Sequence, residues 1–245
     1  MNILVINGNT SLAITDRVAA TARAFASPGT QILAVTAETG PRVIATRTEN
    51  LLGAHAVLTL AARHYGTCDA AVIAVATDTG LRAVREALPI PVVGMTEAAL
   101  LAACALGDGI GFLAIGRRGS AMYRETIASH GMTARVTAFQ AIDLPPEGIA
   151  NPSAMAAPIL GGIEALAQQG ADTAIVAGAA FAGLGSELRD RTPIPIVDGV
   201  GAAVRLVEAL VGLGAGRAKC GGYAPLPQRE VIGVDPAITG LFGGR

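Results

Sequence analysis

The sequence contains one strand–turn unit twice, and this repeat is the feature that most constrains the fold. The segment AVIAVATDTGL at 71–81 and the segment AIVAGAAFAGL at 174–184 each follow an aspartate (Asp69 and Asp172) and precede a Pro-Ile-Pro sequence. Continuous apolar runs of this kind are typical of buried parallel strands. A duplicated βαβ unit predicts two related lobes that face each other across a cleft.

The remaining chain also alternates short apolar runs with helical patterns, which favours an α/β fold. We predict two pseudo-symmetric parallel-sheet lobes, with 1–95 and 200–245 in the first lobe and 96–199 in the second. Ligands of parallel sheets bind beyond the carboxyl ends of the strands, so we expect both polar turns to point into the cleft. The segment 152–170 is predicted to be mainly helix, with a kink at Pro158.

Composition excludes several classes of function. The 245 residues carry a formal net charge of −1, with 15% charged and 51% hydrophobic residues. A balance near neutrality gives no electrostatic surface for nucleic acid or an anionic membrane, and the apolar runs are too short to span a bilayer. The start, MNILVING, reads as a strand without a basic region or a cleavage site. We therefore expect a cytoplasmic protein, and its alanine- and leucine-rich helices favour a homo-oligomer.

No pattern in the sequence indicates a cofactor or a metal. The three cysteines, Cys68, Cys104 and Cys220, are unpatterned and suggest neither a zinc site nor a disulfide framework. Lys219 is the only lysine, which argues against a pyridoxal Schiff base. Neither a G-x-G-x-x-G fingerprint nor a phosphate-binding loop is present. We expect a small-molecule substrate and no cofactor.

Five segments, in order along nearly the whole chain, resemble a known family. They are similar to the hydantoin and allantoin racemase branch of the aspartate/glutamate racemase superfamily. The segments are INGNTS (6–11), VIAVATDTGL (72–81), PVVGMTEAAL (91–100), PIVDGVGAAV (195–204) and AKCGGYAPLP (218–227). The resemblance implies two pseudo-symmetric α/β lobes with the active site between them and chemistry that needs no cofactor.

The same resemblance implies a mechanism whose key residues this chain lacks. The racemases carry one cysteine at the tip of an equivalent strand in each lobe, and the two thiols move a proton on opposite faces of a carbanion. Those positions fall at Val75 and Ala179, or at the neighbours Ala76 and Gly178. Gly8 stands where relatives usually have proline. Two-thiol racemisation is therefore not available, although superfamily relatives include a maleate isomerase and an arylmalonate decarboxylase that keeps one cysteine.

The polar residues at the strand ends are the remaining candidates for the site. Asp78 and Thr77 are predicted to be catalytic, although Asp78 could instead cap the helix that starts near Gly80. Substrate binding is predicted for residues of the turns at the ends of three strands. These residues are Asn7, Asn9, Thr10, Ser11, Thr79, Gly178, Ala179 and Ala180.

Further candidates lie beyond the remaining strands. Arg117 and Arg118 could pair with a carboxylate, and Ser120 and Tyr123 could donate a proton. Asp198 could serve the site or the structure. The three histidines have no ligand spacing and no obvious partner, so they are predicted to lie on helix surfaces or at helix ends; they are His55, His64 and His130.

These observations lead to one leading hypothesis and two alternatives. The leading hypothesis is a cofactor-independent enzyme that acts on a small carboxylate or a hydantoin-like compound. The family resemblance implies a racemase or isomerase, but without the two-thiol mechanism. The alternatives are a cysteine-free hydrolase or decarboxylase on the same scaffold, and a non-catalytic protein that binds a small molecule.

Overall fold

Two four-stranded parallel sheets form the framework of the computed structural model, which describes residues 1–143 and 151–243. The strands of the first sheet lie in the spatial order β2-β1-β3-β4. They are β1 (Asn2–Asn7), β2 (Gln31–Thr36), β3 (Ala70–Ile73) and β4 (Val92–Gly94). All of its strand pairs are parallel.

The second sheet repeats the order of the first. Its strands are β5 (Ile110–Ile115), β6 (Val136–Ile142), β7 (Thr173–Val176) and β8 (Ile196–Val197), arranged as β6-β5-β7-β8. Each sheet therefore places its first strand beside its second and third strands and its fourth strand at the edge. The predicted architecture of two pseudo-symmetric α/β lobes is confirmed.

The aspartates that precede the two repeats form equivalent hydrogen bonds in both lobes. The Asp69 carboxylate accepts a hydrogen bond from the amide of Asn2 at 2.7 Å. The Asp172 carboxylate accepts one from the amide of Gly109, also at 2.7 Å. Each carboxylate thus joins the start of the repeat strand to the start of the neighbouring strand in the sheet.

The glycines that close the two repeats also share one conformation. Gly80 has a φ of 74° and Gly183 a φ of 84°, and each directly precedes a short helix. A left-handed residue is needed at both points to turn the chain from the strand tip into that helix, and glycine adopts it without a steric cost. The repeat in the sequence is thus a repeat in the backbone.

Nine helices lie in the described ranges and cover the two sheets. They are α1 (Leu12–Phe25), α2 (Arg47–His64), α3 (Leu81–Ala87), α4 (Met95–Cys104), α5 (Ser120–Ser129), α6 (Ala156–Gln168), α7 (Leu184–Leu188), α8 (Gly199–Leu213) and α9 (Pro236–Leu241). The predicted kink at Pro158 is wrong. Pro158 lies in the first turn of α6, where backbone amides have no intrahelical acceptor to lose.

The helix that follows the last strand of each sheet packs against the other sheet. In α4, Leu100 is buried in one cluster with Phe112 and Ile175 of the second sheet. Conversely, α8 contacts β3 and β4 of the first sheet. This exchange joins the two sheets into one body.

The lobe boundaries predicted at 95/96 and 199/200 stay a prediction. Residues 144–150 of the predicted second lobe and 244–245 of the predicted first lobe lie outside the described residues. No described helix is long and apolar enough to cross a membrane.

Candidate active site

A cavity of about 140 Å³ lies between the lobes, beyond the carboxyl ends of β1, β3, β5 and β7. Its wall combines residues of both repeats with the ends of β1 and β5: Asn9, Val75, Ala76, Ile115, Gly116, Gly178, Ala179, Ala180 and Phe181. A larger groove of about 680 Å³ lies at the amino ends of β3 and β4. Parallel sheets bind their ligands at the carboxyl ends, so the smaller cavity is the candidate site.

The two strand tips that face each other across this cavity are apolar. Val75 and Ala179 both line it and are both buried. The thiols of the chain lie elsewhere: Cys68 donates to the carbonyl of His64, and burial raises the pKa of its thiol. Cys104 and Cys220 do not line the cavity either. The two strand tips therefore meet at the cavity without a thiol.

Backbone amides at the strand tips offer hydrogen bonds to a ligand. The N–H groups of Val75, Ala76, Ala179 and Ala180 donate to no acceptor in the part of the chain that the structure describes. Consecutive free amides in a turn form a concave site that favours an anionic group. Each lobe thus contributes one pair of donors to the cavity wall.

Asn9 adds a side-chain donor from the turn after β1. Its Oδ1 atom accepts hydrogen bonds from Nδ2 of Asn7 at 3.1 Å and from the amide of Ser11 at 2.9 Å. With its oxygen occupied in this way, Asn9 has its NH₂ group left for the cavity that it lines.

Two residues that follow β5 provide the ionisable groups of the wall. Arg118 and Tyr123 both line the cavity. The guanidinium of Arg118 forms no ion pair within 4 Å with a described residue, whereas Arg117 pairs with Asp143 at 3.2 Å. The Tyr123 side chain is buried, and burial raises its pKa to about 12. The phenol is therefore neutral, and it can donate a proton at physiological pH.

A loop before α2 covers one side of the cavity with the apolar segment 43–45. The Glu49 carboxylate accepts hydrogen bonds from the amides of Ala45 at 2.9 Å and Thr46 at 2.8 Å. The hydrogen bond from Ala45 holds the pKa of Glu49 below its usual value, although burial opposes the change. The sequence does not indicate this wall, because an apolar loop carries no motif that distinguishes it from core residues.

Three predicted binding residues support the turn after β1 and do not line the cavity. Asn7 is buried, and its Nδ2 atom also donates to the carbonyl of Ser11 at 3.2 Å. The amide of Thr10 donates to the carbonyl of Pro41 at 3.0 Å. Ser11 occupies the N-cap position of α1 without a side-chain capping bond. Of the residues predicted to bind substrate, Asn9, Gly178, Ala179 and Ala180 are the four that line the cavity.

Thr77 and Thr79 hold the turn after β3 against α2. Their hydroxyl groups lie 2.8 Å apart, and both donate to Oδ1 of Asn50, at 3.1 Å and 2.5 Å. Neither residue lines the cavity. The binding role predicted for Thr79 and the catalytic role predicted for Thr77 stay predictions. The hydrogen bonds that the structure shows for both residues fix the turn to α2.

Asp78 caps a helix, although not the helix that starts after Gly80. Its carboxylate accepts hydrogen bonds from the amides of Thr96 at 3.0 Å and Glu97 at 2.8 Å, at the start of α4. Burial raises the pKa of Asp78, and hydrogen bonds from His130 and these two amides act against that rise. The carboxylate lies outside the cavity wall, and its catalytic role stays a prediction.

One of the three histidines has a partner that the sequence does not make obvious. His130, which follows α5, has its Nε2 atom 2.9 Å from the Asp78 carboxylate. The contact joins the two lobes, because Asp78 follows β3 of the first sheet and α5 follows β5 of the second. Sequence reasoning could not find this pair, since its residues are 52 positions apart and no motif links them.

Asp198, for which a site role and a structural role were both open, also caps a helix. It occupies the N-cap of α8, where its side chain accepts from the amide of Gly201 at 2.8 Å. The same carboxylate accepts from the amide of Gly183 at 2.7 Å.

Fold and site together define a two-lobed α/β protein with a small-ligand cleft between duplicated strand tips. The model of the Asp/Glu/hydantoin racemase family matches residues 3–207. A hydantoin racemase of Paenarthrobacter aurescens is 30% identical, with 95% of this chain and 100% of the relative covered. A hydantoin racemase of Pseudomonas sp. (strain NS671) is also 30% identical, with 95% of each chain covered. The chain belongs to the Asp/Glu/hydantoin racemase family, and these relatives place it among the isomerases.

Solved structures agree with this assignment. The allantoin racemase from Klebsiella pneumoniae superimposes with a TM-score of 0.90 at 33% identity, covering 98% of both chains. The arylmalonate decarboxylase structure superimposes with a TM-score of 0.63 at 18% identity, covering 91% of this chain and 97% of that one. The second comparison shows the fold alone.

Proposed function

We propose that this isomerase-family chain is a cofactor-independent enzyme that acts on a small carboxylate or a hydantoin-like compound. The reaction takes place in the cleft between the strand tips and does not use the two-thiol mechanism of the family. One observation carries the proposal: hydrogen-bond donors from both lobes lie on the cavity wall. They are the four strand-tip amides, the Asn9 amide group, the Arg118 guanidinium and the neutral Tyr123 phenol.

A wall of donors selects a ligand that is rich in acceptors. Carboxylate oxygens accept several hydrogen bonds, and the carbonyl oxygens of a ring imide do the same. The cavity of about 140 Å³ is smaller than the pockets of roughly 300–1,000 Å³ that hold drug-sized molecules. Charge, hydrogen bonding and size thus favour a small carboxylate or a hydantoin-like ring.

The same donors favour a reaction through an enolate. When a carbon-bound proton leaves, negative charge develops on the neighbouring carbonyl oxygen, and preorganised donors stabilise that charge. The family resemblance implies that hydantoin and allantoin racemases use two thiols to move the proton. In the present cleft the amides hold the enolate oxygens, and return of a proton to the opposite face of the carbon would give isomerisation.

A decarboxylation is the second candidate, and the donors on the wall favour it. Loss of carbon dioxide from a malonate leaves the electron pair on carbon without any base, and donors then stabilise the resulting enolate. Only one proton has to be delivered afterwards. Isomerisation and decarboxylation therefore share a ligand class and a transition-state charge, and they differ in the bond that breaks.

Proton NMR in D₂O separates these outcomes. The purified protein is incubated with 5-methylhydantoin, allantoin, aspartate, glutamate, maleate and a methyl-phenylmalonate. Exchange of the carbon-bound proton above the rate without protein supports the isomerase, and loss of carbon dioxide supports the decarboxylase. A hydrolysed product would instead identify a hydrolase. Binding without any conversion would leave a small-molecule binding protein and overturn the proposed catalysis.

Two neighbouring arginines provide a matched pair of variants for ligand binding. Arg118→Ala removes the cation that lines the cavity, whereas Arg117→Ala removes a cation paired with Asp143 outside it. The Kd of a bound malonate, measured by calorimetry, is expected to rise about tenfold in Arg118→Ala, because a hydrogen bond from a charged group is lost. Arg117→Ala is expected to leave the Kd unchanged. Equal effects of the two substitutions would place the ligand elsewhere.

A further inference from the structure

The Tyr123 hydroxyl has no hydrogen-bond partner in the described part of the chain. The residue is 7% exposed and lines the cavity. The hydroxyl is not sealed in the core, because the fully enclosed side-chain atoms without a partner among the described residues belong to Ser120, Arg135 and Thr173. Polar groups of mostly buried residues are usually hydrogen-bonded, so a ligand or water in the cavity is the partner that this hydroxyl can take.

Packing holds the Tyr123 ring in one place. The ring lies 5.7 Å from that of Phe112, centroid to centroid, with an interplanar angle of 49°. Gly119 leaves room on the other side, because a Cβ atom there would lie 3.3 Å from Cε2 of Tyr123. A rigidly packed ring fixes the position of its hydroxyl, and fixed geometry is what general acid catalysis requires.

We propose that Tyr123 is the proton donor of the cleft and that it protonates the reacting carbon from the second lobe. This inference rests on the proposed function. The electron pair of the enolate forms a new C–H bond with the phenolic proton while the O–H bond of Tyr123 breaks. The phenolate that results takes a proton from water, which restores the neutral side chain.

The apolar strand tips give this step a stereochemical consequence. Val75 and Ala179, which line the cavity at the tips of β3 and β7, supply no proton. A carbanion held in the cavity is therefore protonated on the face that Tyr123 presents. A prochiral malonate, which forms its enolate by losing carbon dioxide without a base, is expected to give an enantiomerically enriched acid.

The substitution Tyr123→Phe tests the proposal, because it keeps the ring and removes the hydroxyl alone. With methyl-phenylmalonate as the probe in D₂O, kcat is expected to fall by about 100-fold or more, the usual contribution of a general acid. The KM is expected to change by less than about threefold, because the amides and Arg118 still bind the ligand. The residual product is expected to lose its enantiomeric excess. Tyr223→Phe, the same change at an exposed tyrosine outside the cavity, is the control and is expected to retain full activity.

The outcomes separate this inference from the proposed function. If wild type converts a probe and Tyr123→Phe converts it equally fast, or with the same enantiomeric excess, Tyr123 is not the donor and the proposed function stands. A rise in KM with kcat unchanged would reduce Tyr123 to a binding contact and overturn the inference. If wild type converts no probe, the inference fails together with the proposed function.

Ligand contact can be read directly from the same residue. The chain has three tyrosines and no tryptophan, so protein labelled with ¹³C at the tyrosine Cζ gives three resonances. The resonance that disappears in Tyr123→Phe is expected to shift when malonate is added, while the resonances of Tyr65 and Tyr223 do not. A shift confined to either of those two would contradict the proposal.

Discussion

At the scale of single residues, Gly8 shows how this chain differs from the racemases that it resembles. A Cβ atom at Gly8 would lie 2.6 Å from Cγ2 of Val57 and 3.3 Å from Cγ2 of Val75. The family resemblance implies proline at this position and a cysteine where Val75 stands. The branched side chain at the strand tip and the glycine opposite it are thus matched in volume, which argues that Val75 belongs to the native packing.

We expect Gly8→Ala to destabilise the protein by about 1–3 kcal/mol, the usual cost of overpacking. Val57 has a β-branched side chain that cannot rotate away cheaply. Urea unfolding followed by circular dichroism measures the change. Gly161→Ala, at an exposed position of α6 with no atom within 4 Å of the added Cβ, is the control and is expected to be slightly stabilising. Equal stability of Gly8→Ala and wild type would show that the contact relaxes.

Sequence could predict residues whose role is local or repeated, and it could not predict residues whose partners are distant in the chain. The equivalence of Asp69 and Asp172 was visible in the repeat, and both carboxylates do the same work. The helix that Asp78 caps begins 17 residues later, and its capping contact to Thr96 spans 18 positions. No motif encodes such a pairing, because it depends on where the edge strand of the sheet ends.

At the scale of elements, each lobe uses one carboxylate to join the turn after its third strand to the helix after its fourth strand. In the first lobe the carboxylate comes from the turn, since Asp78 reaches the amides of α4. In the second lobe it comes from the helix, since Asp198 at the N-cap of α8 reaches the amide of Gly183. Both lobes thus have a carboxylate contact between this turn and this helix, but the carboxylate belongs to the turn in the first lobe and to the start of the helix in the second.

We expect Asp78→Ala to lower the free energy of unfolding by about 1–3 kcal/mol, because it leaves buried amides of Thr96 and Glu97 without an acceptor. Thermal and urea unfolding measure this loss. Asp78→Asn, which keeps an acceptor, is expected to lose less stability and to retain kcat at a temperature where it remains folded. Full stability with lost activity in Asp78→Asn would instead support the catalytic role predicted from the sequence.

At the scale of the whole molecule, duplication explains why the fold was easier to predict than the chemistry. Two copies of one unit indicate a cleft between two sheets, and the strand tips then meet there whatever residues they carry. The chemistry depends on a few side chains at those tips, and here the repeat carries valine and alanine. The ionisable groups of the cavity wall, Arg118 and Tyr123, come from the segment after β5, outside the repeat.

The duplicated geometry leads to a prediction about installing the two-thiol mechanism that the family resemblance implies. In the double variant Val75→Cys with Ala179→Cys, one thiol would lie at each strand tip and both would line the cavity. Because racemisation needs a base on one face and an acid on the other, we expect the double variant to racemise 5-methylhydantoin at least about 100-fold faster than either single variant. Chiral chromatography over time measures the rate, and Ala76→Cys with Ala179→Cys tests the neighbouring register in the first lobe. If the double variant is no faster than the single variants, the two tips do not flank the reacting carbon, and the cleft holds its ligand in an orientation different from that of a two-thiol racemase.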